Sequence, residues 1–177
     1  KEVNIHEVTE RVRNLIAAET LGSGIKLHCD YDPSLPAILA DSEKMIQALL
    51  NLLRNSLQAL NSPAIDHQLG EIILRTRISR NITVASKFYK LAVAIEIIDN
   101  GPGIPQEISE TIFYPMISGR PDGSGLGLPI SHGIVTQHGG MIECDSKPGE
   151  TKFTVTIPIQ SNSQFKTSKV QQVNELK

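Results

Sequence analysis

Residues 97–103 read Ile97-Ile98-Asp99-Asn100-Gly101-Pro102-Gly103, and residues 123–128 read Gly123-Ser124-Gly125-Leu126-Gly127-Leu128. In the first stretch an apolar run ends on a carboxylate and passes at once into glycine and proline, as a buried strand does where it meets a loop. In the second, glycines at every other position run straight into a helical segment. Gly101, Gly103, Gly119, Gly123, Gly125 and Gly127 crowd one short region of a chain that has 13 glycines in 177 residues. Glycine is costly there unless the backbone needs positive φ or must come close to a ligand. Backbone N–H groups of such a loop, together with the positive end of a helix dipole, make an anion site. The loop is not a Walker A motif, because no Gly-Lys-Ser/Thr follows, and it is not a dinucleotide fingerprint, because no strand runs into it. A flexible connector is the plainer reading of the same glycines. Likewise, Asp99 is placed to accept hydrogen bonds from an exocyclic amine, and Asp-Asn-Gly is also the sequence of an ordinary Asx-turn.

Outward from these loops the chain parses into alternating elements. His6 to Thr20 carries Val8, Val12, Leu15 and Ile16 at helical spacing, ending near Gly22–Gly24. Gly24 to Tyr31 alternates as a half-buried strand, and Pro33 and Pro36 stop it. Asp41 is a good N-cap for a helix to Leu60 with the stripe Ile46, Leu49, Leu50, Leu53, Leu57 and Leu60. Strands are expected over Glu71–Ser79 and Phe88–Asp99, a short helix over Gln106–Phe113 and a longer one over Leu126–His138. The last strands are Met141–Asp145 and Lys152–Ile157, and residues 160–177 read as a polar disordered tail after one domain over 1–159. This order is not strict βαβ alternation. It fits an α+β, two-layer sandwich, with helices on one face of a mixed sheet.

Asn51 and Asn55 stand in the middle of the long helix, where asparagine is worth ~0.5–0.7 kcal/mol less than alanine. Four residues apart, they share a face roughly opposite the leucines. Two neutral amide carbonyls suit a hard cation that keeps other positions for phosphates and water, and they also suit a merely polar face.

Composition narrows the function. With 17 basic and 19 acidic residues the formal net charge is −2, which argues against a nucleic-acid footprint. At 40% hydrophobic and 20% charged the chain is of ordinary globular type, and it has no apolar run long enough to cross a bilayer. It opens on Lys1 and reads as a segment of something longer. Cys29 and Cys144 have no metal or disulfide spacing; both read as small buried hydrophobes, in keeping with a reducing cytoplasm.

Taken together, the motifs resemble those of the ATP-binding catalytic domain of bacterial sensor histidine kinases, in the superfamily shared with gyrase, a heat-shock chaperone and MutL. Asn51-Leu52-Leu53-Arg54-Asn55 looks like the N box, Asp99-x-Gly101-x-Gly103 like the G1 box and Phe113-Tyr114 like the F box. Gly123-x-Gly125-Leu126-Gly127-Leu128 looks like the G2 box, and Gly149-Glu150-Thr151 like the closing Gly–Thr element. The order and rough spacing match over about Ile5 to Ile159. Asp30-Tyr31-Asp32-Pro33-Ser34-Leu35-Pro36, Arg54-Asn55-x-Leu57-Gln58-Ala59-Leu60 and Phe113-Tyr114-Pro115-Met116-x-Ser118-Gly119-Arg120 look like the nitrogen-regulating branch of these kinases.

The resemblance implies the Bergerat fold with a mobile ATP lid over about Tyr114–Ser124. It implies Asp99 on the adenine amine, with water-linked support from Gly103 and Thr151, and Asn55 on Mg²⁺. Gly101, Ile104, Gly123, Ser124, Gly125, Leu126 and Gly127 complete the nucleotide site. Arg120 is the basic residue placed to reach a phosphate, or else a solvent-exposed arginine. Hydrolysing members of the superfamily carry a glutamate where this chain has Asn51, and an amide has no lone pair basic enough to activate water near neutral pH. The implied reaction is therefore transfer of the γ-phosphoryl of ATP to a histidine on a separate helical dimerisation domain. An NtrC-like response regulator and a PII-type signal protein are the further partners implied. His6-Glu7 superficially resembles the acceptor motif, but the expected asparagine–proline is absent; a surface helix histidine is the plainer reading. Where the family usually has Lys or Arg after the G2 box, this chain has His132, followed by Gly133. The competing functions are a non-catalytic nucleotide sensor of the same fold and, last, an anti-sigma-type serine kinase.

Overall fold

A computed structural model describes residues 1–62, 70–117 and 125–159. In chain order its elements are β1 (Glu2–Val3), α1 (Ile5–Ser23), β2 (Lys26–Tyr31), β3 (Ile38–Leu39), α2 (Ser42–Leu60), β4 (Glu71–Val84), β5 (Lys87–Asp99), α3 (Gln106–Ser109), α4 (Gly127–Gln137), β6 (Met141–Lys147) and β7 (Glu150–Pro158). The main sheet has the order β2-β4-β5-β7-β6, and β1 and β3 pair separately. β2 runs parallel to β4 and every other pair is antiparallel, so the sheet is mixed as expected. The parallel pair is the one whose connection carries a helix, α2, across the sheet.

One face of the sheet presents Ile72, Leu74, Ile95, Ile97, Phe153 and Val155, and these close a single core with Val12 and Ile16 of α1 and Leu49, Leu52 and Leu53 of α2. Burial of this kind contributes about 25 cal/mol per Å² of apolar surface, which is why the two layers hold. The opposite face carries ions: Asp30 accepts from Arg75 (2.8 Å) and Arg77 (2.6 Å), and these bonds hold its carboxyl below the usual carboxylate range.

The long helix starts where Asp41 places it, with the Asp41 carboxylate accepting from the N–H groups of Glu43 and Lys44. Gly24, at φ 73, ends α1. His138 ties the end of α4 to the start of α2: its Nε2 accepts from the Asp41 N–H (3.0 Å), which leaves Nδ1 as the donor to the Ile134 carbonyl (2.7 Å).

Four expectations change. The first strand of the central pair runs on to Val84, forming a hairpin whose turn residues Ala85 and Ser86 sit at φ 47 and 65. The expected helix over 106–113 is regular only for Gln106–Ser109. The buried stripe of α2 includes Met45, Ala48 and Leu52, while Leu50 is half-buried. Cys29 is exposed on the edge strand, its sulfur accepting from the Tyr31 hydroxyl (3.3 Å); Cys144 is half-buried, and burial followed by the nearby Asp145 and Asp99 charges pushes its thiol up to about 12. The expected tail over 160–177 lies outside the described residues. Among the described residues no helix is long and apolar enough to cross a membrane.

Gly133 stands inside α4, where a β-carbon added to it would meet nothing within 4 Å, and its φ is not positive. Gly133→Ala is therefore expected to raise stability by about 1 kcal/mol, the helix-propensity difference, read as a higher urea midpoint at unchanged slope.

Candidate functional site

The site grows from the end of the sheet's central strand. β5 lies between β4 and β7, so its last residue, Asp99, sits opposite both Ile72 and Thr151 and is only 2% exposed. The Gly101 N–H donates to Asp99 Oδ1 (3.0 Å). The Asx-turn is therefore present, and this bond engages one of the two carboxylate oxygens. A β-carbon at residue 101 would stand 2.7 Å from that Oδ1, so the Asp99 carboxylate would have to shift to admit one.

The loop after Asp99 is clamped onto the β6–β7 turn. Gly149 N–H donates to the Gly101 carbonyl (2.9 Å), and Ile104 N–H donates to Ser146 Oγ (2.9 Å). Ser146 Oγ lies 2.8 Å from Thr151 Oγ1, its cross-strand partner. Gly103, at φ 85, presses on the backbone of Lys147, whose carbonyl would stand 2.8 Å from an added β-carbon. Sequence reasoning missed Ser146. The signal was Pro148-Gly149, the pair expected at the centre of a tight turn, which sets the register of residue 146 against 151.

The opposite wall belongs to α2 and the start of α4. Asn51 and Asn55 are half-buried on one helix face, and Asn51 Nδ2 donates to the Gly127 carbonyl (3.3 Å). Buried Ser131 Oγ lies 3.1 Å from the Ala48 carbonyl and 3.0 Å from the Gly127 carbonyl, fastening the two helices. The N-cap residue of α4, Leu126, has no side chain that can cap it. Gly125, at φ 65, packs against Met116, whose N–H donates to the Gly125 carbonyl (3.1 Å), so residues 117 and 125 leave the site side by side.

Between the walls lies an open cleft of about 1250 Å³, lined among others by Asn51, Asn55, Gly103, Ile104, Gly125 and Gly127. Asp99, Gly101 and Thr151 are buried behind this lining rather than on it. Leu126, an exposed apolar residue, precedes α4 at the cleft edge. Arg120, Gly123 and Ser124 lie outside the described residues. Arg54 and Gln58 also line the cleft, with the Arg54 guanidinium held by Glu19 at 3.2 Å.

The aromatic of the Phe113-Tyr114 pair explains the histidine after the glycine loop. Phe113 lies 5.5 Å from the His132 ring and meets Phe153 edge-on at 6.5 Å, so His132 has an aromatic partner. His6 is likewise more than a surface histidine: its ring stacks on Tyr31 at 5.2 Å and its Nε2 lies 3.1 Å from Thr76 Oγ1.

Residues 40–161 match the family model for the histidine kinase-, DNA gyrase B- and HSP90-like ATPase. The chain is 48% identical over 157 residues to the sensory histidine kinase/phosphatase NtrB of Escherichia coli O157:H7, covering 89% of this chain and 43% of that one. It is 38% identical over 162 residues to the NtrB of Rhodobacter capsulatus, covering 90% of this chain and 44% of the relative. The chain thus spans less than half the length of these curated relatives. Among solved structures, the catalytic domain of histidine kinase ThkA superposes with a TM-score of 0.73 at 26% identity, over 89% of this chain and 94% of that one.

Two glycines with nearly equal φ separate contact from conformation. Gly149, at φ 88, has nothing within 4 Å, whereas Gly103, at φ 85, meets the backbone of Lys147. Gly149→Ala should cost about 1–2 kcal/mol of left-handed backbone strain. Gly103→Ala should cost at least about 1 kcal/mol more, because backbone rather than a mobile side chain has to move; paired urea unfolding curves check the difference.

Proposed function

The chain belongs to the histidine kinase-, DNA gyrase B- and HSP90-like ATPase family, and from that premise we propose that it is the ATP-binding catalytic domain of a nitrogen-regulation sensor histidine kinase, acting over residues 1–159. The observation that carries the proposal is convergence: the Asn51/Asn55 face, the loop from Pro102 to Ile104 that follows Asp99, and the start of α4 line one cleft.

Each wall has a role in this reading. Asp99 accepts the adenine amine from within its buried niche, with Thr151 alongside, and the glycines at 101 and 103 let the base lie against backbone. The first turn of α4 offers N–H groups and a positive dipole end to the phosphates, with Gly125, Leu126 and Gly127 shaping the approach. Gly123, Ser124 and Arg120 are assigned to the same phosphate end by resemblance.

A magnesium ion fits the donor set. Among the described residues no group of three or more His, Cys, Asp and Glu side chains could hold a metal, so a cation here would take most of its ligands from phosphate and water. Asn55, a half-buried amide on the cleft, is the protein ligand we assign, which suits an ion that dehydrates reluctantly. Bound there, the ion would neutralise charge on the β- and γ-phosphates.

Asn51 sets the reaction type. It lines the cleft one turn before Asn55, and no proton can be taken up by its amide near neutral pH. Water is therefore poorly activated, and what the cleft supplies is position and charge neutralisation for transfer to another nucleophile. That nucleophile is assigned to a histidine on a helical dimerisation domain, with an NtrC-like response regulator and a PII-type protein as downstream partner and regulator, all in the cytoplasm.

Mixing this chain with a dimeric helical-hairpin fragment that carries the acceptor histidine, labelled ATP and Mg²⁺ should give acid-labile label on the hairpin. Absence of any such label, with the nucleotide bound, would overturn the kinase reading. Asp99→Asn should weaken ATP roughly 10- to 100-fold, the span of a hydrogen bond to a charged group, and reduce selectivity over GTP in calorimetry. Asn55→Ala should remove the part of ATP affinity that depends on Mg²⁺; unchanged affinity with and without the ion would remove the metal role.

A further inference from the structure

We infer that Ser146 is a positioning residue for base recognition: it holds the Thr151 hydroxyl as a hydrogen-bond donor toward the ring nitrogen that adjoins the adenine amine. The inference rests on the adenine assignment above and names a residue outside all the motifs.

Donor count and cooperativity together favour one direction for the hydrogen bonds. A serine hydroxyl has one proton and two lone pairs. Ile104 N–H can only donate, so at 2.9 Å it occupies a lone pair of Ser146 Oγ. Between Ser146 Oγ and Thr151 Oγ1, 2.8 Å apart, either oxygen could hold the shared proton. An oxygen that already accepts a hydrogen bond is the better donor, so the chain polarises in one direction: Ile104 N–H to Ser146, Ser146 O–H to Thr151. The Thr151 proton is then left to point elsewhere. Thr151 is 4% exposed and lies directly across the strand pair from Asp99, so the hydroxyl and the carboxylate act on the same edge of a base.

This gives the niche a two-point code. Asp99 accepts and Thr151 donates, directly or through one water. Adenine presents the complement, an amine next to an acceptor nitrogen. Guanine presents the opposite at both positions, a carbonyl facing the carboxylate and an N–H facing the hydroxyl. Loss of the Ser146 hydroxyl frees Thr151 to rotate and blurs the second point, while the loop that carries Ile104 keeps its Gly149–Gly101 bond.

The test is calorimetry on the full chain with ATP, GTP and 1-deaza-ATP, which keeps the amine and lacks the acceptor nitrogen. Wild type should bind ATP more tightly than 1-deaza-ATP. Ser146→Ala should weaken ATP roughly two- to tenfold, the range of a neutral hydrogen bond, and leave 1-deaza-ATP nearly unchanged. Ser146→Thr should restore the difference, and Ser146→Ala should add nothing in a Thr151→Ala background. Equal losses for ATP and 1-deaza-ATP, additivity with Thr151→Ala, or no loss at all would overturn the inference. If Ser146→Ala does not fold, Ser146→Cys, of similar volume and poor hydrogen-bonding capacity, gives the same comparison. A wild-type chain that fails to prefer ATP over GTP would instead overturn the adenine site itself.

Discussion

A carboxylate buried at the end of the central strand is the constraint around which the rest is arranged. Asp99 is 2% exposed, and a charge so placed is costly unless hydrogen bonds receive it. The chain meets that demand locally, by turning at once so that Gly101 N–H reaches back to Oδ1. The turn favours glycine at 101, where a β-carbon would displace the same oxygen, and demands it at 103, where φ is positive and the loop lies on the Lys147 backbone. The β6–β7 turn is thus drawn into the site: its Gly149 N–H and the Ser146 hydroxyl hold the loop from below.

The second wall is built by different means. α2 is fixed by its apolar stripe against the sheet and α1, and α4 is fixed to α2 by Ser131 and Asn51 bonding to carbonyls near the α4 start and in the middle of α2. One wall is sheet and loop, the other is two helices, and the cleft runs between them. Under the proposed assignment the base rests on the first wall and the phosphates on the second, so a bound nucleotide would bridge units that the chain itself joins through the core and through residues on either side of 118–124.

Legibility in the sequence followed how local the controlling physics was. Asp41 capping α2, Gly24 ending α1 and the glycine loops are decided by neighbours in the chain, and they could be read directly. The β4–β5 hairpin is longer than its sequence suggests because Ala85 and Ser86 occupy positive φ, where Asn or Gly is the usual sign. Leu50 and Leu52 exchanged places in the stripe because α2 is covered on two sides, by α1 and α4 as well as the sheet, so its buried arc is wider than one face. Cys29 alternated correctly with Ile25 and Leu27 and was still exposed, since periodicity tells which face a residue is on and not whether that face is covered. Ser146 was missed for a related reason: a hydroxyl on a strand acquires its meaning from the residue across from it, which only the register of the Pro148-Gly149 turn supplies.

Asn51 shows structure and chemistry decided by one functional group. Its Nδ2 donates to the Gly127 carbonyl and so helps seat the start of α4 on α2. An ionised glutamate at that position would have acceptors only and could not make this bond. The amide therefore fastens the helix whose first turn is assigned to the phosphates, and the same amide withholds the base that would turn water into a nucleophile. Under the proposed assignment, docking of α4 and the lack of a base at this position are two consequences of the same side chain, so a substitution that placed a carboxylate there would also loosen the wall it has to act from.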